Sequence, residues 1–474
     1  MTQPAEQVRA LLSVTADHLP GGPIAVALPD LFARTRSERP RRGPRVAAAF
    51  ILVLLTVAVP VVVFGRHEPG PAALPGYRVP AVDAFPTSGP AGAAALVRGR
   101  WTRLPAAPIA GRADAATVWT GQQMVVWGGA SGRDQEHVYA DGAAYDPSSG
   151  QWQVLPAGPL APRSNMAYVW TGSQLFIWGG YEWVNGQRQV RGDGALYDPS
   201  TRTWRPVATS PLAARVNAIT LWTGGQVVVI GGQPATFTES QPGYFDAAAY
   251  DPATNQWRRL PAIPTEQSRP MQYLTAAATP SGIYVWPHWA TWKATSNDSY
   301  TGDAGLSLLR YDPHSGAWQT LGAAQPIDLG SPLWTGRDLI FPAAKPYRGF
   351  GSGPLSFNIS GWRWDPSSGT WQRLAHGPVD DLDAASVWTG AALLSFDSQS
   401  VMSGPDGAAY QGAAGVWDPS TNQWTRLPDA PFAGTAGLIN AAVWTGSHLL
   451  TWGLMRPSKT ADAQDAEVGL SFGP

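Results

Sequence analysis

Three arginines recur at nearly equal intervals along the 474-residue chain, and a small polar residue follows each of them two positions later. The arginines are Arg112, Arg163 and Arg215, and the polar residues are Asp114, Asn165 and Asn217. A guanidinium group is a planar fork of N–H donors that binds a carboxylate or phosphate through two parallel hydrogen bonds. The pattern therefore predicts a binding site for an anionic group, provided that the fold brings these positions together.

Later parts of the chain vary this pattern. Arg269 stands at a similar place, whereas Asp381 and Asp383 occupy the two positions farther on. We therefore expect a rim that is basic on one side and acidic on the other. A second interpretation stays open, in which the arginines recur because they pair with aspartates or backbone carbonyls of the adjacent repeat. In that case they serve the fold rather than a ligand.

Few residues suggest catalysis or redox chemistry. The chain has no cysteine, which excludes disulfides, thiolate zinc sites and a cysteine nucleophile. His137 and His288 lie in candidate loops, but the seven histidines show no metal-ligand spacing. The acid pair Asp134 and Glu136 is too common a pattern to indicate glycoside hydrolysis. We expect no metal and no cofactor, and a binding role is favoured over an enzyme.

Residues 99–474 repeat a pattern that would hold these side chains on a common scaffold. Tryptophans mark seven units at intervals of 51 to 61 residues: Trp101, Trp152, Trp204, Trp257, Trp318, Trp371 and Trp424. Six of them follow an Asp-Pro turn, as in DPSSGQW at 146–152, and Trp-Thr-Gly recurs six times, first at 119–121. Asp-Pro starts a tight turn because proline presets φ and the carboxylate accepts backbone N–H groups. A period of this length is typical of a propeller or a solenoid.

The composition agrees with an all-β fold. Charged residues make up 14% of the chain, and 52 glycines and 44 prolines accompany 23 tryptophans. This mixture indicates many short strands that are joined by tight turns and packed on aromatic rings. The formal net charge of −1 argues against nucleic acid as a partner. Thirty of the 33 basic residues are arginine, which indicates a GC-rich bacterial genome.

The repeats resemble the Kelch family, which is also seen in the central propeller of galactose-oxidase-like proteins. The family signature is an apolar strand that ends in Gly-Gly, followed by Tyr-Asp and then by Trp about six residues later. The chain keeps these elements at Gly128-Gly129, Gly179-Gly180, Gly231-Gly232, Tyr145-Asp146, Tyr197-Asp198, Tyr250-Asp251 and Tyr311-Asp312. The resemblance implies a seven-bladed propeller of four-stranded blades. In peptide-binding Kelch domains, arginines of the loop before the first strand contact the ligand.

The two ends of the repeat region complement each other. RWTRLP at 100–105 has the tryptophan of a fourth strand but no preceding hairpin, and the C-terminus supplies only the first three strands of a blade. We therefore predict that the N-terminal strand closes the ring. Trp183, Trp289 and Trp292 lie outside the repeat, in long loops between second and third strands. These loops share a face with the arginines, and variable loops on a rigid scaffold often bind ligands.

An apolar segment precedes the repeats. Residues 46–64 carry no charge, and a helix of this length spans ~28 Å, enough for a bilayer core. Arginines cluster before the segment, so residues 1–45 are expected in the cytoplasm and the propeller outside, with one uncleaved single-pass helix in the cell membrane. Residues 65–98 are rich in proline, glycine and alanine and predict a semi-extended stalk.

The favoured function is a membrane-tethered, extracytoplasmic, non-catalytic propeller that binds a protein, peptide or glycan. One alternative is an extracytoplasmic enzyme on a galactose-oxidase-like or sialidase-like propeller, although galactose-oxidase chemistry needs a tyrosine cross-linked to cysteine. The other alternative is a transmembrane signalling protein whose cytoplasmic tail engages a regulator. The tail lacks the His-x-x-x-Cys-x-x-Cys zinc motif seen in many anti-sigma factors.

Overall fold

The computed structural model describes most of the repeat region and ten residues ahead of it. The described residues are 74, 77, 78, 92–132, 135–234, 243–264, 271–289, 308–321, 331–342, 361–375, 377, 385–396, 414–431, 436–438, 442–456 and 466–474. The predicted tail at 1–45 and the predicted membrane helix at 46–64 lie outside these stretches. Among the described residues, no helix is both long and apolar enough to span a bilayer.

The repeats fold as blades, each an antiparallel sheet whose main strands pair in chain order. A short helix α1 (Ala93–Leu96) and strand β1 (Arg100–Arg103) come first. Blade 1 then contains β2 (Ala116–Trp119), β3 (Met124–Trp127), the small hairpin of β4 (Ala130–Ser131) and β5 (His137–Val138), β6 (Gly142–Asp146) and β7 (Gln151–Val154). Blade 2 contains β8 (Ala167–Trp170), β9 (Leu175–Trp178), the hairpin of β10 (Tyr181–Val184) and β11 (Gln187–Val190), β12 (Gly194–Asp198) and β13 (Thr203–Pro206).

The next four blades have the same four-stranded order. Blade 3 contains β14 (Ile219–Trp222), β15 (Val227–Ile230), β16 (Ala247–Asp251) and β17 (Gln256–Arg259). Blade 4 contains β18 (Met271–Thr279), β19 (Gly282–Trp289), β20 (Leu309–Asp312) and β21 (Ala317–Thr320). Blade 5 contains β22 (Leu333–Trp334), β23 (Leu339–Phe341), β24 (Trp362–Asp365) and β25 (Thr370–Arg373). Blade 6 contains β26 (Ala385–Trp388), β27 (Leu393–Phe396), β28 (Ala414–Asp418) and β29 (Gln423–Leu427).

Blade 7 is built from both ends of the repeat region. Its strands are β30 (Ala436–Leu438), β31 (Ala442–Trp444), β32 (Leu449–Arg456) and β33 (Ala466–Gly473), and β1 pairs with β33. Arg100 lies opposite Gly473 and Arg103 opposite Leu470. The expected single first strand is two pieces, β30 and β31, which pair with β32 in registers that differ by one residue, as at a β-bulge.

The inner strands form a ring. In chain order, β2, β8, β14, β18, β22, β26 and β31 each contact the next inner strand, and β31 also contacts β2. The second strands behind them are buried on both faces because each blade is covered by its neighbours, as in β15, where all four residues are buried. The described strands thus form an all-β, seven-bladed propeller, as the sequence predicts.

The recurring tryptophans of the fourth strands join neighbouring blades. Trp204 lies 4.9 Å from Tyr197 of its own blade and 5.6 Å from Trp127 of the blade before, measured between ring centroids. Its indole N–H donates to the Pro156 carbonyl of that blade at 3.0 Å. The same bond recurs for Trp101, Trp152, Trp257, Trp318 and Trp424. These rings are half-buried wedges between sheets, whereas the second-strand tryptophans, such as Trp178, are fully buried.

The Asp-Pro turns fold as predicted. Asp146 Oδ1 accepts the Ser148 N–H at 2.8 Å, and the Gly150 N–H donates to the Asp146 carbonyl at 2.8 Å. Gly150 has φ +67°, a left-handed conformation that suits glycine. Arg202 stands at this place in the turn of blade 2 and adopts φ +55°.

Candidate functional site

The three recurring arginines lie at the same place in blades 1, 2 and 3, where the chain enters the first strand. Their side chains have no exposed surface, and each binds an aspartate through two hydrogen bonds: Arg112 to Asp141, Arg163 to Asp193 and Arg215 to Asp246. Each aspartate ends the loop between the second and third strands of the same blade, and its side chain is 33 to 56% exposed.

Backbone carbonyls accept further hydrogen bonds from each guanidinium. Arg163 Nε donates to the Ala161 carbonyl at 3.0 Å, and Nη1 donates to the Gly179 carbonyl at 3.2 Å. The guanidinium carbons of Arg112 and Arg215 also lie 3.8 and 4.1 Å from the ring centroids of Tyr139 and Tyr244. A buried charge needs this degree of pairing because desolvation is otherwise unfavourable.

The Gly-Gly pair at the end of the second strand in blades 1 to 3 makes this arrangement possible. Gly129 has φ +96°, and its N–H donates to the Arg163 carbonyl of the next blade at 2.9 Å. A Cβ added at Gly128 would come within 2.9 Å of that same carbonyl oxygen. The Arg163 N–H in turn donates to the Tyr139 carbonyl at 3.0 Å, so the arginine position ties blade 2 to blade 1.

The anion-binding interpretation of these arginines therefore needs correction. Each guanidinium already binds an aspartate carboxylate. This agrees with the interpretation that the arginines serve the fold, except that the aspartates belong to the same blade rather than to the adjacent one. A ligand carboxylate or phosphate would have to displace a bidentate partner. The described rim is consequently not basic, because each guanidinium is neutralised by a carboxylate beside it.

The polar residues that follow the arginines form the wall of a cavity. Asp114, Asn165 and Asn217 have φ +52°, +53° and +53° and line a space of about 160 Å³ together with Thr117, Met166 and Tyr168. We call Asp114, Asn165 and Asn217 the channel mouth. The Asn165 side-chain amide donates to Asn217 Oδ1 at 3.0 Å, and the Gln135 amide donates to Asp114 Oδ2 at 2.9 Å.

Tyr168 adds a hydroxyl to this cavity. Burial raises the pKa of the Tyr168 hydroxyl, and the negative charge of Asp114 raises it further. The hydroxyl therefore stays protonated at neutral pH. The cavity presents one carboxylate, two amides and hydroxyl groups, which together can donate to and accept from a polar ligand.

A second concave surface lies beside the mouth. The hairpins β4–β5 and β10–β11 enclose an open groove of about 470 Å³ that is lined by Glu136, His137, Tyr139, Glu182, Trp183 and Val184. Trp183 is half-buried, and the Arg188 guanidinium lies 5.6 Å from its ring centroid. Glu182 forms an ion pair with Arg191. This groove, which we call the hairpin groove, combines an aromatic wall with a polar border.

The other predicted site residues cannot be placed in the site. Arg269, Asp381, Asp383 and Trp292 lie outside the described residues, and for Trp289 only the backbone is described, at the end of β19. Among the described residues, no three His, Asp or Glu side chains come together as a metal site would require. Tyr168 and Met166 were not expected at the site, because blade 1 has Thr117 and Ala115 at the equivalent positions and no recurring pattern marks them.

Comparisons with known proteins show similarity to Kelch repeats. Residues 94–324 match the model of the KLHDC2/KLHL20/DRC7 Kelch-repeats domain. The Kelch-like protein terF of Aspergillus terreus is 25% identical over 298 residues, which cover 60% of this chain and 61% of that protein. An F-box/kelch-repeat protein of Arabidopsis thaliana is 29% identical over 134 residues, which cover 26% of this chain and 34% of that protein.

Enzymes also appear among the relatives. The N-acetylneuraminate epimerase of Haemophilus influenzae is 23% identical over 276 residues, which cover 49% of this chain and 72% of the enzyme. The chain thus spans less than two thirds of the fungal and plant relatives. The sheets thus form a seven-bladed propeller, and residues 94–324 of it are similar to Kelch repeats.

Proposed function

We propose that this Kelch-repeat propeller is a non-catalytic module that binds a protein, peptide or glycan ligand at the channel mouth. The observation that carries the proposal is the row of Asp114, Asn165 and Asn217, which three successive blades present to one cavity. Amide and carboxylate groups in this arrangement recognise neutral groups such as hydroxyls and peptide amides. Because the neighbouring arginines are already paired, the mouth favours a neutral polar ligand over an anion.

The hairpin groove would extend this contact. Its indole, Trp183, offers a flat apolar surface against which a sugar ring or an apolar side chain can pack. Glu136 and His137 at its border offer hydrogen bonds. A ligand that reaches from the mouth into the groove would therefore combine polar recognition with aromatic packing.

Screening the purified full-length protein on glycan and peptide arrays tests the proposal. Replacing Asn165 and Asn217 together by glycine removes both amides without backbone strain, because both residues have positive φ. We expect the affinity for the ligand found in the screen to fall about tenfold or more. Arg202→Gly is the matched control, because Arg202 also has positive φ but lies in an Asp-Pro turn.

The expected pattern is weaker binding by the double variant alone, with melting temperatures close to the wild type for both proteins. Equal affinity of the double variant and the wild type would contradict a ligand site at the mouth. Binding that depends instead on an anionic group of the ligand would contradict the neutral-ligand part of the proposal.

An enzyme that acts on a sugar is the second candidate. It is favoured by the similarity to N-acetylneuraminate epimerases from Haemophilus influenzae and Yersinia enterocolitica. Among the ionisable side chains that line the cavity, Arg112 is paired with Asp141, so such a reaction would use Asp114 and Tyr168. Incubation with N-acetylneuraminate, followed by nuclear magnetic resonance of its anomeric signals, separates the candidates: faster epimerisation than in buffer supports the enzyme.

The location of the propeller also remains a proposal. Residues 46–64 would anchor it as a single-pass helix in a bacterial membrane, with residues 1–45 in the cytoplasm and β1 closing the ring outside. The pairing of β1 with β33 supports the closure. Protease added to intact cells should digest the propeller. Protection would contradict this orientation, and capture of a cytoplasmic regulator by the tail would favour a signalling role.

A further inference from the structure

Three residues ahead of the repeats contact the propeller directly. Leu74, Tyr77 and Arg78, which we call the strap, lie on the face that carries the Trp-Thr-Gly turns. The Leu74 N–H donates to the Pro313 carbonyl of blade 4, and the Arg78 N–H donates to the Thr223 carbonyl of blade 3, both at 2.6 Å. The strap therefore bridges two blades through its backbone.

The side chains of the strap are also held. Leu74 is 3% exposed and belongs to the cluster of buried residues that contains Val228 of blade 3 and Ile283 of blade 4. The Tyr77 ring packs against the same cluster, and its hydroxyl donates to the Thr279 carbonyl at 2.7 Å. Burial raises the pKa of Tyr77, so its hydroxyl remains a donor at any physiological pH.

Blade 4 departs from the repeat at the place where Tyr77 is bound. The other six blades carry Trp-Thr-Gly, whereas blade 4 carries Ala278-Thr279-Pro280. The turn itself is equivalent, since Thr279 Oγ1 donates to the Gly282 carbonyl as Thr223 Oγ1 donates to the Gln226 carbonyl. Ala278 therefore occupies the tryptophan position, and it packs against the same cluster as Tyr77.

The turn of blade 3 fits closely under the strap. A Cβ added at Gly224 would overlap the Arg78 carbonyl oxygen, whereas a Cβ added at the corresponding Gly121 or Gly172 would meet no atom within 4 Å. The three glycines share positive φ values of +83°, +96° and +91°. Close contact with the strap thus distinguishes the turn of blade 3 from those of blades 1 and 2.

We propose that blades 3 and 4 form a peptide-binding seat, and that the strap occupies it as an intramolecular ligand. Tyr77 supplies an aromatic ring beside Ala278, where the other blades have the tryptophan of Trp-Thr-Gly. The two backbone hydrogen bonds fix the direction of the bound segment. The segment before the propeller is then not a free stalk up to residue 98.

Gly224→Ala in the full-length chain tests the proposal, with Gly172→Ala as its matched control. Both substitutions place alanine at a positive φ and carry the same backbone strain, but only Gly224→Ala collides with the strap. We expect tryptic cleavage after Arg78 to become at least tenfold faster in Gly224→Ala. Cleavage in Gly172→Ala should stay within twofold of the wild type. Equal rates in the two variants would overturn the proposal.

A second experiment asks whether the seat recognises the sequence of the strap. The variant Tyr77→Ala should have a lower melting temperature than the wild type. A synthetic peptide of residues 72–80, AALPGYRVP, should raise that temperature again, and the same peptide with alanine in place of tyrosine should not. If the tyrosine peptide stabilised the wild type as much as the variant, it would bind elsewhere, and the seat would be excluded.

Discussion

At the scale of single residues, the arginine positions show how a charge can be buried in a propeller. Each guanidinium binds an aspartate and backbone carbonyls, and the backbone of Arg163 and of Arg215 also pairs with the blade before. The side chain therefore links the two loops that frame the channel, and the neighbouring polar residue is left facing the cavity. The arginine thus stabilises the fold, and the polar residue two positions later lines the cavity at which we propose ligand binding.

Removing one such arginine should destabilise the fold. Arg163→Met keeps the volume of the stem but leaves the Ala161 and Gly179 carbonyls and the Asp193 carboxylate without their donor. We expect the free energy of unfolding to fall by about 3 kcal/mol, as for other broken buried pairs. Urea denaturation measures this change. The exposed Arg98, replaced by methionine as a control, should change stability by less than ~0.5 kcal/mol.

The Arg163–Asp193 pair should also produce a pH dependence. Burial by itself raises the pKa of Asp193, but the hydrogen bonds and charge of Arg163 outweigh it and hold the pKa below its usual value. The stabilisation is therefore complete above the unfolded pKa of about 4 and is lost as the pH falls through the folded value. Asp193→Asn should flatten the acid limb of stability measured from pH 7 to pH 2. An unchanged acid limb would contradict the assignment.

At the scale of strands and turns, the fourth-strand tryptophans act as wedges with one directional bond each. The Trp204 ring packs between blades 1 and 2, and its N–H reaches a carbonyl of the preceding blade. The Trp119 N–H in a Trp-Thr-Gly turn, by contrast, finds no hydrogen-bond partner among the described residues. The two classes of repeated tryptophan therefore contribute differently, although both are half-buried.

Phenylalanine substitutions separate the two classes. Trp204→Phe and Trp119→Phe remove similar volumes, but only the first leaves the Pro156 carbonyl without its donor. We expect Trp204→Phe to lower the free energy of unfolding by about 1 kcal/mol more than Trp119→Phe. Parallel chemical denaturation of the two variants measures the difference. Equal losses would show that the hydrogen bond adds nothing to the packing.

At the scale of the whole molecule, the two ends of the repeat region meet in blade 7. Thr102 of β1 lies directly opposite Ser471 of β33, at a separation typical of antiparallel partners. The native chain has no cysteine, so a disulfide introduced there has no competitor. The N-terminal strand and the C-terminal strand therefore offer a direct test of ring closure.

The double substitution Thr102→Cys and Ser471→Cys should form a disulfide in air, because paired strands satisfy its distance requirement. Closing so long a loop should stabilise the oxidised protein by about 2–5 kcal/mol over the reduced one. Thiol titration and melting curves with and without reductant measure both effects. Free thiols in the folded protein would contradict closure by the N-terminal strand.

Much of this architecture is encoded in local patterns. The Asp-Pro turns, the Gly-Gly pairs and the tryptophan period predict the blades and their number, because each motif reports a local backbone requirement. The pairing of the arginines is not local: Asp141, Asp193 and Asp246 follow Arg112, Arg163 and Arg215 by 29, 30 and 31 residues. An aspartate stands directly before the third strand in each of these blades and could have indicated the pairing. The loops before it differ in sequence, so the recurrence is difficult to recognise.

The contacts of the strap are a second feature that the sequence does not predict. Proline and glycine around Leu74 and Tyr77 predict a semi-extended stalk, but composition does not say which surface such a chain contacts. The missing tryptophan at Ala278 was visible in the sequence as a defect of the repeat. Tyr77, which we propose compensates for the missing ring, lies some 200 residues away along the chain. It stands outside the repeats, so the repeat period could not indicate this contact.

The indole rings lie close enough to one another to interact optically. Trp127 and Trp204, Trp178 and Trp257, Trp152 and Trp452, and Trp286 and Trp364 have centroid separations of 5.6 to 6.0 Å. Electronic transitions at such separations couple, so the folded protein should show an excitonic band in its circular dichroism and rapid migration of excitation from blade to blade. Replacing one ring of a pair should weaken this band, which gives the contact between those two blades a spectroscopic signature of its own.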